Sequence, residues 1–221
     1  LDKKILDANL KKKIDEVKKK NNTENQNLAY THFLLSKYEL NLKNYEKEFN
    51  YLLKGHSCYL MSEKKEYRKD VEYWLNILPK NKELNNKNDS TRNMEIEKHS
   101  LKPIFIIGVP RCGSTMIEKI IASGIQNVTI GEEIGIISNF VKQKIIQKQN
   151  IYSSISDMRK NLIKRYSEKS IIKEDSNYIF TDKTLDNFFY IRLIKDIFPL
   201  SKIINCKREP LSSIMSILKN N

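Results

Sequence analysis

The stretch IFIIGVPRCGSTMIEKII, residues 104–121, constrains the fold more than any other part of the chain. It opens on a short continuous apolar run rich in β-branched side chains, which suits a strand buried on both faces of a parallel sheet. A glycine-bounded turn then stops the strand, and STMIEKIIASG resumes with apolar residues at helical spacing. A strand that ends in such a turn and feeds a helix gathers backbone N–H groups at the helix N-terminus, where the dipole adds about half a positive charge. Backbone alone can hold an anion there. Gly108 lets the chain turn, and Gly113 lets the backbone approach a ligand with no Cβ between them. Ser114 and Thr115 add hydroxyl donors in the first helical turn.

Gly108 and Gly113 have the spacing of a G-x-x-x-x-G-K-[ST] phosphate loop, yet Ser114 stands where the lysine belongs. That lysine reaches the β/γ phosphates of a nucleoside triphosphate, and the following hydroxyl holds magnesium. Arg111 is the cation this loop carries instead. An arginine forks onto a tetrahedral oxyanion through two hydrogen bonds and needs no metal. The loop therefore suits a terminal phosphate or sulfate better than a magnesium triphosphate.

YIFTDK and KIINCK repeat the pattern of apolar strand, turn and helix, so residues 103–221 read as an α/β domain on a parallel sheet. Residues 1–80 read differently, with apolar residues at helical spacing throughout. LAYTHFLLSKYELNLKN and YEKEFNYLLKGHSCYLMSEKK predict an antiparallel helix pair about a turn at residues 42–45, flanked by helices over 5–20 and 67–78. Residues 81–102 are polar, rich in Asn and Lys, and read as a linker. The helix pair resembles one tetratricopeptide repeat of about 34 residues, with Leu35, Ser36, Tyr45 and Leu52 in step. Glu48 and Gly55 stand where that repeat carries alanine, and a generic helical hairpin fits equally well. The resemblance implies a surface for a protein partner.

With 39% hydrophobic residues in 221, the chain can bury a core, and no apolar run reaches the roughly 18–20 residues of a membrane span. The N-terminal LDKKILDANLKKK has charges where a signal peptide needs its apolar region. The formal charge of +13 is spread along the chain without interleaved aromatics, which predicts a solvated surface rather than a nucleic-acid site. Cys58, Cys112 and Cys206, with His32, His56 and His99, show no metal-ligand spacing and point to a reduced, cytoplasmic compartment. The absent initiator Met, and an end on LKNN directly after an apolar helical pattern, predict a piece of a longer protein with its α/β domain incomplete at the C-terminus.

PRCGST resembles the PRSGTT loop of the sulfotransferase family, with Cys112 for Ser and Ser114 for Thr. The resemblance implies that Arg111, Cys112, Gly113, Ser114 and Thr115 hold the 5′-phosphosulfate of 3′-phosphoadenosine 5′-phosphosulfate, the co-substrate, without a metal. KIINCKREPLSSIMSI is similar to the family's 3′-phosphate segment and implies that role for Arg208 and Ser216. IFTDKTLDNFFYIRLIKDIFPLSKIINC resembles the D-K-x-P-x-N-F stretch of bacterial sulfotransferases that carry tetratricopeptide repeats, with Leu185 near the usual proline. Asp182, Lys183, Asn187, Phe188, Phe198 and Pro199 fall in step, and Lys183 is implied to neutralise charge on the bridging oxygen.

IGEEIG is similar to the G-E-E segment of tyrosylprotein sulfotransferases, whose second Glu is the base, which implies Glu133. The preceding SGIQNV is one residue longer than the family's link, so Glu132 and Glu133 both remain candidates. The implied acceptor is a hydroxyl or amine on a protein, glycan, lipid or small molecule. Two other readings stand beside this one. A P-loop kinase or nucleotide triphosphatase would have Asp182 as its magnesium candidate. A non-catalytic helical-repeat interaction protein would carry a truncated α/β domain.

Overall fold

The computed structural model describes residues 8–19, 24–85, 101–152, 154–172 and 179–219, so most of the expected linker lies outside the described residues. The chain forms two units, Leu1–Asn76 with Ile214–Asn221, and Ile77–Ser213.

The first unit holds α1 (Ala8–Lys19), α2 (Asn25–Asn41), α3 (Tyr45–Ser62) and α4 (Lys64–Glu72). The turn after α2 is closed by Lys43 in a left-handed conformation (φ 60°) and by the Asn44 N–H donating to the Glu39 carbonyl at 2.9 Å. Ala29, Phe33 and Leu52 form the core between α2 and α3. The two departures from the repeat pattern have local reasons. A Cβ on Gly55 would lie 2.4 Å from the Phe33 ring, and the buried Glu48 pairs with Lys219 at 2.9 Å. Where 67–78 is expected as one α-helix, α4 instead passes into a π-helical turn, Tyr73–Ile77. Apolar spacing does not separate an i→i+5 turn from an α-helical one.

Glu39 lies buried on α2, accepting from Asn44 Nδ2 at 2.8 Å and from Lys11 Nζ at 3.1 Å. The Asn44 hydrogen bond first, and then the Lys11 ammonium, hold its carboxyl below the usual range against the cost of burial. A depressed carboxyl contributes stability above its unfolded pKa and loses it as pH falls through the folded value. Glu39→Gln should therefore melt below the parent at neutral pH, and the gap should close as the buffer is taken from about pH 6 to about pH 3. A gap independent of pH in thermal melts would show that the charge on Glu39 is not what stabilises α2.

The second unit holds α5 (Lys82–Asn85), β1 (Ile104–Gly108), α6 (Ser114–Gly124), α7 (Ile136–Ile146), α8 (Ile155–Glu168), β2 (Thr181–Asp182), α9 (Ile191–Ile197), β3 (Lys202–Cys206) and the start of α10 (Pro210–Lys219), with a 3₁₀ helix at Leu185–Tyr190. All three expected strands are present and parallel in the order β2-β1-β3, as an α/β architecture requires. Phe105 and Ile106 of the central strand are fully buried, which is why IFII carries no polar alternation. β2 is shorter than YIFTDK suggests. Phe180 is tied sideways to Thr129 by a parallel bridge, so the NVTI segment lies along the outer side of β2. Tyr166 of α8 packs on Phe180 at 4.8 Å between ring centroids, joining helix and sheet.

Among the described residues, no helix is long and apolar enough to cross a membrane, and no cluster of His, Cys, Asp and Glu could hold a metal.

Candidate active site

Three parallel strands put their carboxyl ends on one edge of the sheet, where open α/β sheets bind ligands. The turn after β1 lies in the middle, the Lys183 segment follows β2 on one side, and Arg208 follows β3 on the other. Parallel pairing in register, Phe105 with Asp182 and Gly108 with Cys206, brings together residues far apart in sequence.

The turn itself is sharply bent. Arg111 (φ 66°) and Gly113 (φ 97°) are both left-handed, and the Cys112 N–H between them donates to the Val109 carbonyl at 3.2 Å. At φ 97° a side chain is strained whatever the space, and this is why glycine stands at 113. The Met116 and Ile117 N–H groups donate to the Gly113 carbonyl at 3.0 and 3.2 Å, which starts α6 directly behind the turn. Ser114 is buried in that first turn, while Arg111, Gly113 and Thr115 are exposed. Cys112 points inward into a cluster with Ile104, Ile106 and Cys206, so its side chain serves packing. Burial, with Cys112 beside it, pushes the Cys206 thiol up.

Arg208 Nη1 donates to the Arg111 carbonyl at 3.0 Å, so the residue expected at the 3′-phosphate sits against the loop expected to hold the 5′ end. A guanidinium has five N–H donors, which leaves it others for a ligand. Ser216 falls in the part of α10 that belongs to the helical unit, where it is half-buried.

Lys183 and Glu133 meet. The lysine, 6% exposed, places its Nζ 3.1 Å from Glu133 Oε1, and the glutamate side chain is 61% exposed. The partner Glu132 is used through its main chain. Its carbonyl accepts from the Lys183 N–H at 2.8 Å, its own N–H donates to Glu118 Oε1 at 3.2 Å, and its φ is 52°. Of the two candidate bases, Glu133 has its carboxylate at the lysine.

Glu118, absent from the residues expected from the sequence, supports the glutamate segment. Buried on α6, it accepts from Thr181 Oγ1 at 2.6 Å as well as from Glu132, and Thr181 Oγ1 accepts from the Gly131 N–H at 3.0 Å. This clasp joins the loop helix, β2 and the glutamate segment. The helical period of STMIEKIIASG does not reveal it, because Met116 and Ile120 of its apolar stripe are exposed.

Asp182 is turned into the core. Wholly buried, it accepts from Tyr166 Oη at 2.5 Å, the Thr184 N–H at 2.9 Å and Asn187 Nδ2 at 3.1 Å. Burial pushes its carboxyl up despite these donors, and burial next to Asp182 drives the Tyr166 hydroxyl well above its ordinary value. Its work is to fix the backbone that presents Lys183. The kinase reading loses its magnesium ligand here.

The profile of the sulfotransferase family matches residues 103–221. An uncharacterized protein of Aquifex aeolicus (strain VF5) is 26% identical over 212 residues, covering 89% of this chain and 26% of its own length. The chain thus spans about a quarter of that relative. No solved structure matches the chain.

Proposed function

Because the chain belongs to the sulfotransferase family, we propose that it moves a sulfuryl group from 3′-phosphoadenosine 5′-phosphosulfate to a hydroxyl or amine of an acceptor. The observation that carries this reading is the Lys183–Glu133 contact at the edge of the sheet that bears the left-handed turn. A cation and a carboxylate side by side are what the transfer needs, one to neutralise a leaving oxygen and one to take the acceptor proton. When bound, the donor supplies the sulfuryl group, whose bond to the phosphate oxygen breaks as its bond to the acceptor forms.

The chain's own residues divide the rest. Arg111, Gly113, Ser114 and Thr115 hold the 5′ end through N–H groups, hydroxyls and a guanidinium, with Cys112 packed beneath. Arg208 takes the 3′-phosphate. Lys183 neutralises the leaving oxygen, and Glu133 accepts the acceptor proton. Protein contacts are assigned to the helical unit, on its likeness to a tetratricopeptide repeat.

The test is thermal. 3′,5′-Diphosphoadenosine at 100 times its dissociation constant should add about 2.7 kcal/mol, provided it binds the native state alone. Magnesium–ATP should add less. Arg208→Ala should weaken the diphosphate by about 1.5–3 kcal/mol and adenosine 5′-phosphate far less. Stronger stabilisation by magnesium–ATP would overturn the reading, and equal losses for the two adenosine nucleotides would remove Arg208 from the 3′-phosphate.

A further inference from the structure

We propose that Cys112 and Cys206 form a thiol–disulfide switch that distorts the turn after β1 when oxidised and weakens its hold on the nucleotide, an inference that rests on the sulfotransferase reading of that turn. The two residues are far apart in sequence, and the sheet brings them together. β1 and β3 pair in parallel with Gly108 opposite Cys206. Paired residues direct their side chains to one face of a sheet, and Gly108 carries none to direct. Cys112 fills that space, since a Cβ on Gly108 would lie 2.9 Å from Cys112 Sγ and 2.5 Å from the Cys206 carbonyl oxygen. The Cys112 and Cys206 thiols are hydrogen-bonded to each other, in the cluster they share with Ile104 and Ile106. Both are free, and Cys58, the third cysteine, belongs to the helical unit.

The position of the pair gives it a consequence. Cys112 stands between the left-handed Arg111 and Gly113, in the turn assigned to the 5′ end of the donor. Cys206 ends β3 and leads to Arg208, whose Nη1 donates to the Arg111 carbonyl at 3.0 Å. A bond between the sulfurs would tie together the two segments assigned to the nucleotide. Sulfurs in van der Waals contact must close to about 2.05 Å in a disulfide, with a fixed dihedral geometry. β3 is paired with β1 along its whole length, so the turn is the part that moves. Moving it displaces the Arg111 guanidinium and the N–H groups beside it, and losing one charge-assisted hydrogen bond weakens a ligand about tenfold.

Hydrogen peroxide is an oxidant small enough to reach the turn. Attack of the Cys112 thiolate on one peroxide oxygen breaks the O–O bond, leaves a sulfenic acid, and releases hydroxide that takes up the Cys112 proton as water. The Cys206 sulfur then attacks Cys112 Sγ, the S–O bond breaks, and the departing hydroxide takes the Cys206 proton as a second water. The thiol pair gives up two electrons, and the peroxide receives them. Cys112 is assigned the first step because Arg111 and Gly113 on either side of it are exposed. Burial pushes the Cys206 thiol up, which assigns it the second.

The experiment compares the reduced 221-residue chain with the chain treated with hydrogen peroxide. After alkylation, peptide mapping by mass spectrometry should find Cys112 joined to Cys206 and Cys58 alkylated. The oxidised chain should bind 3′,5′-diphosphoadenosine about tenfold more weakly than the reduced chain, and dithiothreitol should restore the affinity. Cys206→Ala should bind the nucleotide like the reduced parent and lose the response to peroxide, while Cys58→Ser should keep the response. A peptide map without the Cys112–Cys206 pair overturns the proposal, and the map needs no variant to fold. A disulfide that leaves nucleotide affinity unchanged overturns it too, as does a Cys206→Ala chain that still weakens under peroxide. Failure of the reduced chain to bind the nucleotide would instead strike the sulfotransferase reading, and the joined peptide would still stand or fall by itself.

Discussion

Glu133→Gln is expected to lower turnover by about 10²-fold or more, the range of a lost general base, while donor affinity stays close to that of the parent. Gln keeps the shape of the side chain and can still receive a hydrogen bond from Lys183 Nζ, now 3.1 Å from Glu133 Oε1. It cannot take a proton. Glu133 is 61% exposed in that contact, so the substitution disturbs no core and the fold should persist. Glu132→Gln should cost much less, because Glu132 acts through its carbonyl and N–H, which Gln retains. Lys183→Ala should reduce turnover as well, by removing charge stabilisation of the leaving oxygen. The decisive comparison is single-turnover kinetics of both glutamate variants with saturating donor. If Glu132→Gln is the slow variant, the roles are reversed. If neither is slow, the base is another group and the proposed mechanism is wrong.

Lys183 explains why the pair is built from so much buried structure. A lysine at 6% exposure is costly unless its ammonium is partnered, and its backbone must not drift. Asp182 before it and Thr184 after it are both buried, and Asp182 gathers three donors of its own. Thr184 Oγ1 accepts from the Gly135 N–H at 2.8 Å, which ties the far end of the glutamate segment to the same strand. The lysine is held from both sides, and the exposed carboxylate comes to it.

The turn after β1 is legible in the sequence because each of its signals is local. An apolar run, a glycine that must be left-handed and a helical period follow one another within eighteen residues, 104–121. The three strands are legible for the same reason. Register between Glu132 and Glu133 is not local, since it depends on a contact with Lys183 that spans 50 positions. Glu118, Thr181 and Tyr166 are hidden likewise. Each is a polar residue inside an apolar pattern, and its partner arrives from another element.

Gly131→Ala should damage stability and activity together. A Cβ at this position would stand 1.9 Å from the Thr181 carbonyl oxygen and 3.1 Å from its carbon, both backbone atoms of β2. Backbone in a parallel sheet has no rotamer to change, so either β2 or the 129–133 segment must move. Crowding of this kind costs about 1–3 kcal/mol and more where nothing yields, and we expect the upper end. Gly131 also donates its N–H to Thr181 Oγ1 at 3.0 Å, and that hydroxyl donates to Glu118. Displacing the glycine therefore strains the clasp through Glu118 to the Glu132 N–H, and with it the position of Glu133 at Lys183. Thermal melts should show a lower midpoint. At a temperature where the variant is still folded, turnover should fall while 3′,5′-diphosphoadenosine still binds, because the turn at residues 108–115 does not rest on Gly131. Thr181→Ser, which keeps the hydroxyl and the carbonyl, should leave both readouts near the parent. If Gly131→Ala melts and turns over like the parent, the glutamate segment does not sit on β2, and the contact between Glu133 and Lys183 loses its support.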